Sequence, residues 1–224
     1  MHPDSLIPPH GGYKKLRTYK LGNLIYDATA AFCEQYLDRK DRTYDQMVQA
    51  ARSGVANIIE GSEASATSKK SELKLTNVAK ASHEELLTDY QAFLRQRGLP
   101  EWAAESPAAK TVRRTRPETL DQLRQLMAAL VADSELLPET PLSDCRTCRT
   151  GRTGRTEFAQ TKDAARSKAA RKAEVAGNVM LCLINQETYL LGRQIARLAA
   201  DFEQEGGFTE RLHRIRTEIR EREK

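Results

Sequence analysis

Across residues 16–37, Leu21, Leu24, Ile25, Ala28, Phe32 and Tyr36 recur at three- and four-residue spacing, the pattern of an amphipathic helix with one buried face. A charged turn, "DRKDR", follows. Thr43 or Asp45 is then placed to cap a second helix, through which Met47, Ala51, Val55, Ile58 and Ser62 continue a single stripe. The cluster "SEASATS" ends it, and its last residue, Ser68, is placed to cap a third helix with Leu75, Ala79, Ser82, Leu86, Tyr90 and Phe93 on one side. Gly98 and Pro100 stop that helix. Three helices thus account for residues 13–98.

Residues 99–160 are less regular and read as an insertion. It opens with "PEWAAES", a turn or short helix, and continues with a helix from 117 to about 132 in which Leu120, Leu123, Leu126, Met127 and Leu130 recur before Pro138 and Pro141. The run "CRTCRTGRTGRT" repeats Arg-Thr every three residues, and its glycines and threonines predict a flexible basic linker. A long helix is predicted over 161–205, with Met180, Ile184, Leu191, Ile195, Leu198 and Phe202 on one face and Val179, Leu183 and Leu190 beside them. A face that wide needs more than one neighbour. Glycines then cap it, and over 206–224 Phe208, Leu212, Ile215 and Ile219 outline a short helix rich in arginine. No strand alternation or hairpin turn stands out, so the fold class is all-α.

Composition agrees with that class, at 39% hydrophobic, 6% aromatic and 30% charged residues. The opening "MHPDSLIPPHGG" lacks the charged start and apolar run of a secretory signal, and no stretch approaches the roughly 18 apolar residues of a membrane span. The expectation is a soluble, cytoplasmic protein. Of the four cysteines, Cys33 and Cys182 sit in apolar helical patterns and only Cys145 and Cys148 are close, so reduced thiols are expected.

Charge changes the picture more. The net charge is +5, yet the 28 residues 145–172 hold nine bases, Arg146, Arg149, Arg152, Arg155, Lys162, Arg166, Lys168, Arg171 and Lys172, against Glu157 and Asp163. One segment makes the protein basic. Such a cluster attracts phosphate backbones or acidic protein surfaces, and its bland alternative is a solvated linker. Arg146, Arg149, Arg152, Arg155, Arg166, Lys168, Arg171 and Lys172 are therefore the candidate nucleic-acid contacts.

The second helix carries the other candidate site. Glu60 falls about 180° from Ala51 on a helical wheel, opposite the apolar stripe. Ser53, Asn57 and Gly61 form a row of small side chains with Gly54 beside it, which lets another helix approach closely. Two readings stand: helix packing with an exposed face, or Asn57 and Glu60 as polar contacts between subunits. Neither implies catalysis, since no histidine, cysteine or second carboxylate is placed to work with Glu60. His83 stands beside Ser82 and Glu84, but neighbours on a helix point about 100° apart and form no triad. Cys145-x-x-Cys148 has the spacing of half a zinc site, but His83 and His213 lie in distant helices and no second pair completes it. No enzyme activity, metal or cofactor is expected. Tyr19, Tyr26, Tyr36 and Tyr44 are candidates for stacking on bases or, equally, for packing.

The stretch "QMVQAARSGVANIIEGSEAS" followed by "KLTNVAKASHEELLTDYQAFLRQRG" resembles the four-helix-bundle family first known from proteins encoded in intervening sequences of ribosomal RNA genes. The shared signature is Gln-x-x-x-Ala, then Asn57-x-x-Glu60-Gly61, then Ala79, Ser82 and Glu85. The tail "NVMLCLINQETYLLGRQIARLAADFEQEGGFTERL" is similar to the suffix region of a subset of that family. The resemblance implies an antiparallel four-helix bundle, often assembled as a ring of five, with the insertion, the basic linker and the short C-terminal helix as additions. It extends to the accessory variability determinants of diversity-generating retroelements, which bind nucleic acid and a reverse transcriptase through basic surfaces. No motif defines those surfaces, so no binding residue carries over. Two functions follow as expectations: an oligomeric nucleic-acid-binding accessory protein, or a protein–protein scaffold with no nucleic-acid role.

Overall fold

The computed structural model of the protein describes residues 11–133 and 157–222. A 3-10 turn, Tyr13–Lys15, precedes α1 (Arg17–Tyr36), α2 (Arg42–Ala64), α3 (Lys69–Arg97), α4 (Pro107–Thr115), α5 (Leu120–Ala132), α6 (Glu157–Glu205) and α7 (Phe208–Arg222). No strand occurs among the described residues, and the protein is all-α there.

The helix ends follow local hydrogen bonding. Asp41 caps α2 by accepting from the Thr43 amide at 2.9 Å, two residues before the earliest cap that the sequence reading named. Ser68 caps α3, its Oγ accepting from the Ser71 amide at 3.1 Å. Gly98 closes α3 at φ 65, a left-handed conformation that costs glycine little, and the next amide, that of Leu99, donates to the Leu94 carbonyl at 2.9 Å. Ser68→Ala is expected to cost about 1 kcal/mol by stripping the first turn of its acceptor, and so to lower Tm by about 2–4 °C in a thermal melt followed by circular dichroism. An unchanged Tm would show that water replaces the cap without loss.

Helix α4 was not anticipated. Ser106 accepts from the Ala109 amide at 3.3 Å and Pro107 occupies the first turn, a strong start, but only Ala108, Ala109 and Val112 form the buried face. Three small apolar residues leave too faint a periodicity to read. Helix α5 begins at Leu120 rather than Pro117 because Thr119 caps it, and α6 begins at Glu157, four residues before the expected start.

Side-chain pairs set the register. Gly22 of α1 faces Val55 and Ile58 of α2; farther along α2, Gly54 faces His83 of α3 and Gly61 faces Leu75 and Thr76. Leu94 of α3 covers Gly177 of α6, Lys80 reaches Gly192, and Thr18 of α1 donates to Gln194 of α6 at 3.0 Å. Within each of these pairs residue numbers rise in one helix as they fall in the other. Across the core the order is parallel: Tyr90 donates to the Thr29 hydroxyl at 3.1 Å, Phe32 meets the rings of Tyr90 and Phe93 at 4.7 Å each, and Arg97 donates to the Tyr36 carbonyl at 2.9 Å. Helices α4 and α5 lie on α6, which thereby covers the wide apolar face expected of it. Their buried residues, Val112, Leu123, Leu126 and Leu130, join the main core. No helix packs along α7.

Candidate nucleic-acid interface

Helix α6 is 49 residues long against 29 for α3, or about 73 Å against 43 Å at 1.5 Å per residue. The difference has to overhang. The buried run of α6 begins at Ala173, one turn beyond which Trp102 locks the helix to the connection after α3. Its amide donates to Asn178 Oδ1 at 2.7 Å and its indole N–H to Glu174 Oε1 at 3.1 Å, while Asn178 Nδ2 donates to the Pro100 carbonyl at 2.9 Å. Three polar groups thereby fix where the buried helix ends and the overhang begins. The positions of Arg166, Lys168, Arg171 and Lys172 lie on the overhang side of that lock.

The structure separates these cations. Lys168 and Lys172 are exposed, as a phosphate contact requires. Arg171 is half-buried and donates through Nη2 to the Asp133 carbonyl at 2.6 Å, so it ties α6 to the end of α5. It is held by the protein first. Arg166 lies within α6, while Arg146, Arg149, Arg152 and Arg155, like Cys145 and Cys148, lie outside the described residues.

The small-residue row of α2 meets α3 of the same chain. The Ser82 hydroxyl donates to Ser53 Oγ at 3.2 Å, and Gly54 and Gly61 are buried against α3. Asn57 turns back on its own helix, donating to the Ser53 carbonyl at 2.8 Å, and Glu60 is exposed. Beside this contact, Arg42, Asp45, Gln49, Ser53, Glu85 and Asp89 line an open groove of about 720 Å³ between α2 and α3. Burial, then the neighbouring Glu85, pushes the Asp89 carboxyl above the usual range.

The tyrosines serve packing. Tyr36 stacks edge-on against Phe93 at 5.8 Å, Tyr19 against Tyr13 at 4.9 Å, and the Tyr44 hydroxyl donates to Glu34 at 3.1 Å. Tyr26 is half-buried against the core. Among the described residues no group of three or more His, Cys, Asp or Glu side chains is placed to hold a metal ion. Burial raises the Cys33 thiol to about 12 and that of Cys182 to about 11, which keeps both as unreactive thiols. No helix among the described residues is long and apolar enough to cross a membrane.

Two buried groups were missed by sequence reasoning. Glu187 is fully buried, with 0% exposure and no hydrogen-bond partner on either carboxylate oxygen, and burial pushes its pKa well above the ordinary carboxylate value. The signal was present: Glu187 continues the stripe of Ile184 and Leu191 at helical spacing, so an acid stands where the pattern asks for an aliphatic. His83 is equally buried, with neither ring nitrogen hydrogen-bonded, and burial lowers its pKa to about 4, which keeps the ring neutral. No family model, no curated protein and no solved structure matches the chain.

Proposed function

We propose that α1, α2, α3 and α6 form an antiparallel four-helix bundle that presents a basic segment, residues 145–172, to the phosphate backbone of RNA or DNA. The register pairs described above support the bundle. The observation that carries the function is the charge: nine of the chain's cations fall in 28 residues with two acids, and the segment leads into the overhang of α6, where Lys168 and Lys172 are exposed. A flexible Arg-Thr repeat offers charge without a fixed fork geometry, so it contributes affinity through counterion release and little base discrimination. The protein acts as a non-enzymatic accessory factor within a ribonucleoprotein, or beside a reverse transcriptase as the resemblance implies. It works as a homo-oligomer, the ring of five being the form the resemblance suggests.

If about five phosphates are neutralised on duplex DNA, the slope of log K against log salt is expected to be roughly −4 to −5, from about −0.9 per contact. Changing Arg146, Arg149, Arg152 and Arg155 to Gln lowers affinity strongly while helix content by circular dichroism stays the same. Unchanged affinity in the quadruple variant removes the repeat as the binding element. A parent protein that binds neither RNA nor DNA at about 50 mM salt leaves the protein–protein scaffold as the function.

A further inference from the structure

Helix α7 is amphipathic, but nothing within the chain packs along it. Ile219 is 50% exposed, and Phe202, which lies beside the Gly206–Gly207 turn into α7, is 38% exposed. A helix of 15 residues is marginal in water by itself and owes most of its stability to packing of its apolar face. The stripe of Phe208, Leu212, Ile215 and Ile219 is spaced four, three, four. That is the narrow seam of a two-stranded coiled coil, rather than the wider face a helix turns toward a globular core.

We infer that α7 pairs with α7 of a second copy of this chain, antiparallel, about a two-fold axis. The charges beside the seam choose the partner and its direction. With Leu212 and Ile219 as one set of seam positions and Phe208 and Ile215 as the other, Arg211 and Glu218 occupy the flanking position ahead of each turn. In an antiparallel pair Leu212 stacks on the partner's Ile215, and Phe208 on the partner's Ile219. Arg211 then stands beside the partner's Glu218, and by symmetry the ion pair occurs twice. In a parallel pair Arg211 stands beside the partner's Arg216, a like-charge contact. A two-fold contact of this kind is isologous and closes on itself. It does not depend on nucleic-acid binding, and it uses a different surface from the row on α2.

Sedimentation equilibrium of the full-length protein at low salt tests the pairing. Glu218→Arg turns both ion pairs into repulsions, so the α7-dependent dissociation constant is expected to rise roughly tenfold. The double change R211E with E218R restores the opposite charges with their positions exchanged, and returns the constant to within about threefold of the parent. Ile215→Asp, which places a charge in the seam, abolishes the step. Tighter association of Glu218→Arg overturns the antiparallel pairing, because that change does not relieve any repulsion in it. Association of Ile215→Asp equal to that of the parent overturns α7 as a self-association surface and assigns the stripe to a different partner.

Discussion

Gly54→Ala is expected to destabilise the protein by about 3 kcal/mol, lowering Tm by roughly 6–12 °C for a chain of this size. In a free helix the change would be favourable, since alanine is the better helix former by about 0.8–1.0 kcal/mol. Packing reverses the sign. A Cβ on Gly54 would fall within the imidazole of His83, against Nε2 and Cδ2, and that ring is fully buried between helices. The ring has no empty space to turn into, so α2 and α3 would have to move apart along their shared face. Gly61→Ala is the control: its Cβ would meet Leu75 Cβ at 3.4 Å and Thr76 Oγ1 at 3.6 Å, ordinary contacts, and the variant is expected to be neutral or slightly more stable. Thermal melts of both variants decide the matter. A Gly54→Ala protein as stable as the Gly61→Ala protein would mean that His83 is not seated on α2.

Glu187→Leu is expected to stabilise the protein by about 3 kcal/mol at pH 7. Burial without a partner holds the carboxyl in its neutral form, and keeping it so from 4.5, its ordinary value, up to pH 7 costs about 1.4 kcal/mol per unit. A leucine of similar volume carries no such cost and completes the stripe of Ile184 and Leu191. The sign with pH follows from linkage. The raised pKa of Glu187 means that the folded protein holds a proton the unfolded chain releases, so stability falls as pH rises above about 4.5. His83 works oppositely: its pKa is lowered from 6.5 to about 4, so the unfolded chain takes up a proton first and stability falls as pH drops below 6.5. Between 4.5 and 6.5 the two slopes cancel, and above 6.5 that of Glu187 acts alone. The parent's Tm is therefore expected to decline above pH 6.5, whereas Glu187→Leu holds level there and declines below 6.5. Parallel declines above pH 6.5 in the two proteins would show that Glu187 is not the group responsible.

Local energetics made much of this protein legible in its sequence. Ser68 and Gly98 mark the ends of α3 because a hydroxyl that accepts from a first-turn amide and a residue that tolerates positive φ act within a few residues of themselves. The stripes of α1, α2, α3 and α6 announced their buried faces, and Glu60, opposite its stripe, is exposed. The concentration of cations in residues 145–172 is likewise a property of the sequence, because it needs no contact to exist.

Only the tertiary structure decided what each face meets. Gly54 lies under an imidazole 29 residues farther along the chain, a contact that comes from the crossing of α2 and α3 and not from any local spacing. Arg171 counts as one more cation in the sequence, yet it is spent on the Asp133 carbonyl because α5 ends beside α6. Glu187 and Leu191 share one stripe and both are buried, so periodicity treats them alike; the absence of any donor around the carboxylate is set by which helices enclose it. The stripes of α1 and α7 look equally amphipathic, and the first is covered while the second is not, because coverage depends on where the chain has already placed its other helices. Spacing along a helix is dictated by covalent geometry, whereas partners across a core are chosen by the packing of the whole chain.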